Sequence, residues 1–449
     1  MRARAPVGLS TVIRTIDLRG RKPSSAELAE VVPRPAVDVA VAAAAAAELV
    51  SAVRERGAAA LAEQSERFDG GAPPAIRVPA EELAVAAAEL DPSVREALEE
   101  AIRRVRAASA AQVPPERETR LGAGATVRQR WQPVRRVGLY VPGGKAVYPS
   151  SVVMNVVPAQ IAGVASIALA SPPQREHGGR VHPTILAAAQ LLGVTEVYAM
   201  GGAGAIGALA YGVPEIGLEP VDVITGPGNV YVAAAKRVVK GQVGIDAEAG
   251  PTEILVIADD SADPGVVAAD LVSQAEHDEL AAAVLVTDSA ALAAAVERAL
   301  EPRAAATRHA DRVRAALGGP QSAIVLVDDI PTAARVSDAY GPEHLELQTR
   351  DPEATLRDIH NAGAVFLGAH SPVSLGDYLA GSNHVLPTGG QSRFSSGLGA
   401  TAFLRPQQVV EYDRGALDEV RRRILALAAA EDLPAHGEAV SARFDGTED

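Results

Sequence analysis

Cysteine is absent from the 449 residues. Disulfides, thiolate metal sites and a thiol nucleophile are therefore excluded. Aromatic residues are scarce, at 3% against 48% hydrophobic overall. The core must be built from Ala, Val, Leu and Ile, and the chain is long enough to bury one. Long apolar runs are missing. The longest, 39–47, is mostly alanine and too short to span a bilayer. An excess of positive charge is missing too: 42 Lys and Arg stand against 56 Asp and Glu, a formal net charge of −14. That balance disfavours non-specific binding to nucleic acid or to an anionic membrane. The first eleven residues hold two arginines but neither an apolar core nor a small-residue cleavage site. A soluble, cytoplasmic protein is the expectation.

What is present is a change of texture along the chain. Residues 25–112 read as helices. Ser24 and Ser25 precede Glu27 in an N-cap pattern, and alanine-rich stretches at 39–65 and 80–112 favour helix. From about 134, short β-rich runs alternate with helical ones: strands at 136–141, 166–170, 196–200 and 221–224, each followed by a helix. A second series places strands at 254–258, 283–287 and 322–327, with helices at 264–279, 289–300 and near 331–338. Such βα repetition predicts parallel sheets covered by helices, in two similar α/β domains. The last sixty residues differ, with a Ser/Gly loop at 391–400 and a charged helix at 418–430.

Four constellations could carry chemistry. Gln274 and His277 stand three apart in the helix predicted over 264–279, a spacing that puts a carboxamide and an imidazole on one face, fit to hold a metal. Solvated helix ends often look the same. Glu343 and His344 follow a Gly-Pro turn, and an adjacent carboxylate and imidazole suit proton transfer. Asp377 and His384 lie seven apart in a glycine-rich loop, where ordinary turn chemistry is the plain alternative. Glu431 and His436 lie in the tail, in what reads as a frayed helix end.

Three glycine turns suit a cofactor. Gly202, Gly204 and Gly207 meet the G-x-G-x-x-G spacing between a predicted strand and a helix, where backbone N–H groups can hold a pyrophosphate. The turn 225–229 adds Asn229. The run 138–144 closes an earlier strand with Tyr140, an aromatic suited to stacking on or capping a cofactor.

Taken in order, these segments resemble the histidinol dehydrogenases over nearly the whole chain. The stretches that carry the resemblance are 138–144 (GLYVPGG) with 148–150 (YPS), 226–236 (GPGNVYVAAAK), 244–254 (GIDAEAGPTEI), 273–278 (SQAEHD), 341–347 (GPEHLEL), 381–388 (GSNHVLPT) and 393–396 (RFSS). Each is weak alone; seven in register are specific. The resemblance implies a zinc- and NAD-dependent enzyme of histidine biosynthesis, taking L-histidinol through L-histidinal to L-histidine with two NAD. It implies one zinc per subunit, held by Gln274, His277, Asp377 and His436. The same residues would touch substrate, with Thr252, His344, His384 and Glu431. Tyr140, Asn229 and position 204 would contact NAD, and Glu343 and His344 would be catalytic.

The implied fold is two Rossmann-like α/β domains with parallel sheets and small helical N- and C-terminal segments. The boundaries are 1–24, then 25–139 with 251–390 as the active-site domain, 140–250 on the NAD side, and 391–449 as a tail. The resemblance also implies an intertwined homodimer in which the tail reaches the partner's site. Without cysteine, an aldehyde intermediate has no thioester route and must be hydrated. Two positions depart from the family pattern. Gly204 replaces a glutamine expected to contact NAD, so part of the G-x-G-x-x-G match arises from that substitution. Thr252 replaces a serine and keeps the hydroxyl. The alternative is a related zinc/NAD alcohol dehydrogenase acting on a sulfonated diol; Glu431 favours a substrate carrying an amine, because it would repel an anion. A non-catalytic zinc- or nucleotide-binding protein is the reading from another class.

Overall fold

The computed structural model describes residues 12–35, 39–69, 71–143 and 146–444. The start of the expected N-terminal segment, Gly144 of the 138–144 motif and the last five residues of the tail lie outside them. The strands in chain order are β1 (Arg14–Asp17), β2 (Arg117–Gly122), β3 (Ala125–Pro133), β4 (Arg136–Tyr140), β5 (Ser166–Ser171), β6 (Val197–Ala199) and β7 (Val223–Thr225). They continue with β8 (Gly244–Ile245), β9 (Glu253–Ala258), β10 (Ala282–Thr287), β11 (Ala323–Leu326), β12 (His344–Gln348), β13 (Ala364–Leu367) and β14 (Leu404–Tyr412).

Two parallel sheets dominate, as the βα alternation predicts. One has six strands in the order β1-β11-β10-β9-β12-β13, the other five in the order β6-β5-β4-β7-β8. Strands β9, β10, β11 and β12 are buried at every residue. That is why β9, β10 and β11 read as largely apolar runs, while β12 (HLELQ) buries polar side chains among them. Strand order reverses direction between β9 and β12 in the first sheet and between β4 and β7 in the second.

Alanine sets how the helices pack. The helix Val39–Arg56 lays Ala42, Ala46, Val50 and Val53 into the core of the five-stranded sheet, against the helices Gly202–Tyr211 and Val230–Val239. A Cβ added at Gly207 would stand 3.2 Å from the Val50 Cα, so small residues let the backbones approach. Likewise Pro92–Gln112 packs on Pro149–Ala162, and Ala80–Ala88 on Pro183–Leu191. The expected boundary at residue 139 does not describe this packing, because most of 39–112 lies with the five-stranded sheet.

By its internal packing the chain divides into two units, 1–112 with 134–403, and 113–133 with 404–449. The second unit is an antiparallel sheet, β14-β3-β2, with the helices Arg414–Ala430 and Pro434–Ser441. Asp413 caps the first of these helices through Ala416 N at 2.8 Å. Among the described residues, no helix is long and apolar enough to cross a membrane.

Candidate active site

The site grows from the N-terminal edge of the six-stranded sheet, at its point of reversal. Thr252 leads into β9, and Glu343 leads into β12, which opens with His344. Parallel pairing sets His344 opposite Ile254, so residues 90 apart in sequence become neighbours. The Thr252 hydroxyl donates to Glu343 Oε2 at 2.5 Å, and Glu253 N donates to the same oxygen at 2.9 Å. Gln274 Nε2 donates to Thr252 Oγ1 at 2.7 Å. That bond fixes the carboxamide. Its other end, Gln274 Oε1, is buried without a hydrogen-bond partner, and a buried acceptor left unpaired is costly. The helix Pro264–Ala275 brings it there, capped by Asp263 and opened by Pro264.

His277 departs from the sequence expectation. The helix stops at Ala275, Glu276 is its C-cap, and His277 N closes a turn onto Gln274 O at 3.2 Å. His277 thus stands just past the helix, joined to Gln274 by a turn and not by a shared helical face. It has a side open to solvent, yet the surrounding protein desolvates the imidazole and holds it below its ordinary pKa.

Burial decides the protonation of the pair at the centre. Glu343 and His344 are only 6% and 4% exposed. Desolvation pushes the Glu343 carboxyl up to about 8, against the hydrogen bonds from Thr252 and Glu253. Desolvation also lowers His344, against the charge of Asp377. His344 Nδ1 lies 3.0 Å from the Glu253 carbonyl oxygen, which can only accept. The proton of neutral His344 therefore sits on Nδ1, and Nε2 carries the free lone pair. Glu253 is itself held by Arg34 at 3.1 Å through both carboxylate oxygens and by Gly389 N at 2.5 Å. Its backbone thus orients both members of the pair.

The Asp377 charge acts on His277, His344 and His384, which gathers the glycine-rich loop into the same site. His384 Nδ1 donates to the Asp377 carbonyl at 3.0 Å, and its Nε2 meets Ser151 Oγ at 2.9 Å. Ser151 lies in the helix Pro149–Ala162 that follows β4. The N-terminal edge of the six-stranded sheet therefore faces the C-terminal edge of the five-stranded one.

That second edge is where an open parallel sheet takes a ligand, at its point of reversal between β4 and β7. The turn after β7 crosses the end of β4: Gly226 has φ +114°, and a Cβ there would stand 1.9 Å from the Tyr140 carbonyl oxygen. Asp246 Oδ2 accepts from Gly226 N at 2.8 Å, Lys236 bonds to the Gly226 carbonyl, and Lys236 Nζ pairs with Asp246 at 2.6 Å. Asn229 Oδ1 caps the next helix through Tyr231 N and Val232 N, at 3.0 and 3.2 Å. The Tyr140 ring is buried, and its hydroxyl accepts from Gly202 N at 3.2 Å. Gly204 is buried, and a Cβ there would lie 2.3 Å from Gln64 Oε1. Positions 204 and 207 thus serve helix packing, against Gln64 and Val50.

Glu431 and His436 belong to the second unit. Glu431 is the C-cap of Arg414–Ala430, His436 lies in Pro434–Ser441, and both are exposed. Among the described residues no three His, Asp or Glu side chains are grouped tightly enough to hold a metal by themselves. The donor that fits such an ion is the unpaired Gln274 oxygen, and His277, one turn on, feels the charge of Asp377. Sequence reasoning missed Glu253, Lys236, Asp246 and Ser151. All but Ser151 lie inside the motifs 226–236 and 244–254, and their place in those two stretches was the available signal.

A sequence profile described as histidinol dehydrogenase matches residues 32–444. A histidinol dehydrogenase of Leifsonia xyli subsp. xyli is 71% identical, covering 96% of this chain and 99% of its own. One of Mycolicibacterium smegmatis is 59% identical, covering 96% and 97%. The crystal structure of a histidinol dehydrogenase from Elizabethkingia anophelis superposes with a TM-score of 0.90 at 32% identity, over 97% of this chain and 99% of that one.

Proposed function

The chain belongs to the histidinol dehydrogenase family, and on that footing we propose that it oxidises L-histidinol to L-histidine through L-histidinal, as the last step of histidine biosynthesis, with two NAD and one zinc per subunit. The observation that carries this reading is the hydrogen-bonded chain from Glu343 through Thr252 to Gln274, whose Oε1 is buried with no partner. Gln274, His277 and Asp377 would hold the zinc, which when bound supplies a Lewis acid that orients the substrate's amino and imidazole nitrogens. Thr252, His384 and Glu431 would contact the substrate. Tyr140, Asn229 and the turn around Gly226 would line the NAD side, with no side chain at 204 to contribute.

The residues divide the chemistry. In the first oxidation, His344 Nε2 takes the hydroxyl proton as hydride leaves the carbon for NAD. No cysteine is present to trap the aldehyde. His344 gives its proton up to solvent before the second oxidation, and Glu343, as the carboxylate, takes a proton from the water that adds to the aldehyde carbon and passes it to the former carbonyl oxygen, which completes the gem-diol. Its Oε2 is committed to Thr252 and Glu253, so Oε1 is the oxygen that meets the water. The gem-diol then gives the second hydride, again with His344 as base. Purified protein with histidinol, NAD and zinc should form two NADH per histidinol, and chelation should abolish turnover. A zinc-replete preparation that stops at one NADH with free aldehyde contradicts the proposal.

The family resemblance also implies a homodimer in which a second copy supplies His436 and Glu431. A chain ending at Ala428 should then lose activity and zinc together, and mixing it with a Gln274→Ala chain should restore part of the activity. Full activity of the shortened chain alone contradicts this.

A further inference from the structure

A second acidic group lies behind the site and takes no part in the chemistry above. Glu346 is 1% exposed, two residues along β12 from His344 and on the same side of the strand. Its carboxyl group hydrogen-bonds Asp270, in the helix Pro264–Ala275. Gln348 Nε2 bridges the two carboxyl groups, at 2.9 Å to Asp270 Oδ2 and 2.9 Å to Glu346 Oε2. Val373 N, at the start of the helix Val373–Tyr378, donates to Glu346 Oε1 at 3.0 Å.

These contacts reach three elements that carry site residues in the first unit. Pro264–Ala275 holds Gln274 and leads to His277, β12 holds His344, and Val373–Tyr378 holds Asp377. We propose that Glu346 is a positioning residue: its protonated carboxyl, shared with Asp270, locks the two helices to β12 in the register that brings Gln274, His344 and Asp377 together. The functional half of this rests on the reading of the site given above; the lock itself does not.

Two carboxylates this close cannot both ionise cheaply in a buried place. The opposing charge is Arg303, from Ala290–Ala306, which acts on Asp270; Gln348 and Val373 bring only neutral donors. Burial first, then the Asp270 charge, raises Glu346 to about 8. The sign follows from linkage. A carboxyl raised on folding contributes stability that is full below its unfolded value, near 4.5, and that is lost as the pH rises to about 8.

The test compares wild type with Glu346→Gln and Glu346→Leu. Gln keeps a donor toward Asp270 and an acceptor for Val373 N, and it cannot ionise. Its Tm should fall less than that of wild type between pH 5 and 8.5. Its kcat for histidinol should match wild type at pH 7 within about twofold and lack the wild-type decline above about pH 8. Leu removes the second carboxyl from Asp270 and the acceptor from Val373 N, and its kcat should fall about 10- to 100-fold at unchanged KM for NAD, the cost of a misplacement near 1 Å. Identical pH curves of Tm and kcat for wild type and the Gln variant overturn the proposal, as does full kcat in the Leu variant. If the Leu variant does not fold, the Gln comparison decides. A wild type that never oxidises histidinol defeats the functional reading instead, and leaves the Tm comparison as the test of the lock.

Discussion

Glu343→Gln should release histidinal after a single hydride transfer. The substitution keeps the shape of the side chain and its acceptance of the Thr252 and Glu253 hydrogen bonds, so the fold and the first oxidation should persist. What it removes is the oxygen that takes a proton from water. The aldehyde oxidation should slow by about 10²- to 10⁴-fold, the usual worth of a positioned base. That corresponds to about 3–5 kcal/mol of barrier. The yield should drop toward one NADH per histidinol, with aldehyde captured by a hydrazine trap. The pH dependence adds a second check. Burial lifts Glu343 to about 8, and the group acts only when ionised. In wild type the aldehyde step should therefore rise with pH along a limb at or below 8, since a cation bound at the Gln274 oxygen lowers that value. The Gln variant should lack the limb. Two NADH per histidinol at the wild-type rate would remove Glu343 from the mechanism.

The central strands of the parallel sheets were legible because they are buried on both faces and so read as apolar runs between helices, whereas β12 (HLELQ) was not, since it alternates polar and apolar residues. The placement of 39–112 was not. An alanine-rich helix face is complementary to many surfaces, and what selects the five-stranded sheet is the close approach at Gly207 and Val50, a long-range fit that no local pattern announces. The end of the helix before His277 was also hidden, since Glu276, His277 and Asp278 carry none of the glycine or proline that marks a stop. Residue types pointed to Gln274, Glu343 and His344 one at a time. The threads between them run through Thr252 and the backbone of Glu253, contacts that exist only once β9 and β12 pair. Glu346 drew no reading of its own within the stretch 341–347, because its burial follows from the sheet and not from its neighbours in sequence.

His344→Asn should divide the reaction differently. The Asn side chain can keep a donor where Nδ1–H meets the Glu253 carbonyl, at 3.0 Å in the wild type, while removing Nε2. Orientation survives and the base does not. Both hydride transfers need a proton taken from oxygen, so both should slow by about 10²- to 10⁴-fold. Hydration of the aldehyde, assigned to Glu343, should not. No aldehyde should then accumulate, because the first step has become the slowest. A deuterium at the substrate's reacting carbon should give a larger isotope effect on kcat than in wild type, since hydride transfer now limits turnover. The contrast with Glu343→Gln is the decisive part. If both residues served one step, the two variants would stop at the same point and leave the same product. If His344 only filled space between the sheets, the Asn variant would lose Tm in proportion to activity. An intact Tm, a raised isotope effect and no trapped aldehyde together would place the base at Nε2, and a variant that still turned over near the wild-type rate would place it elsewhere.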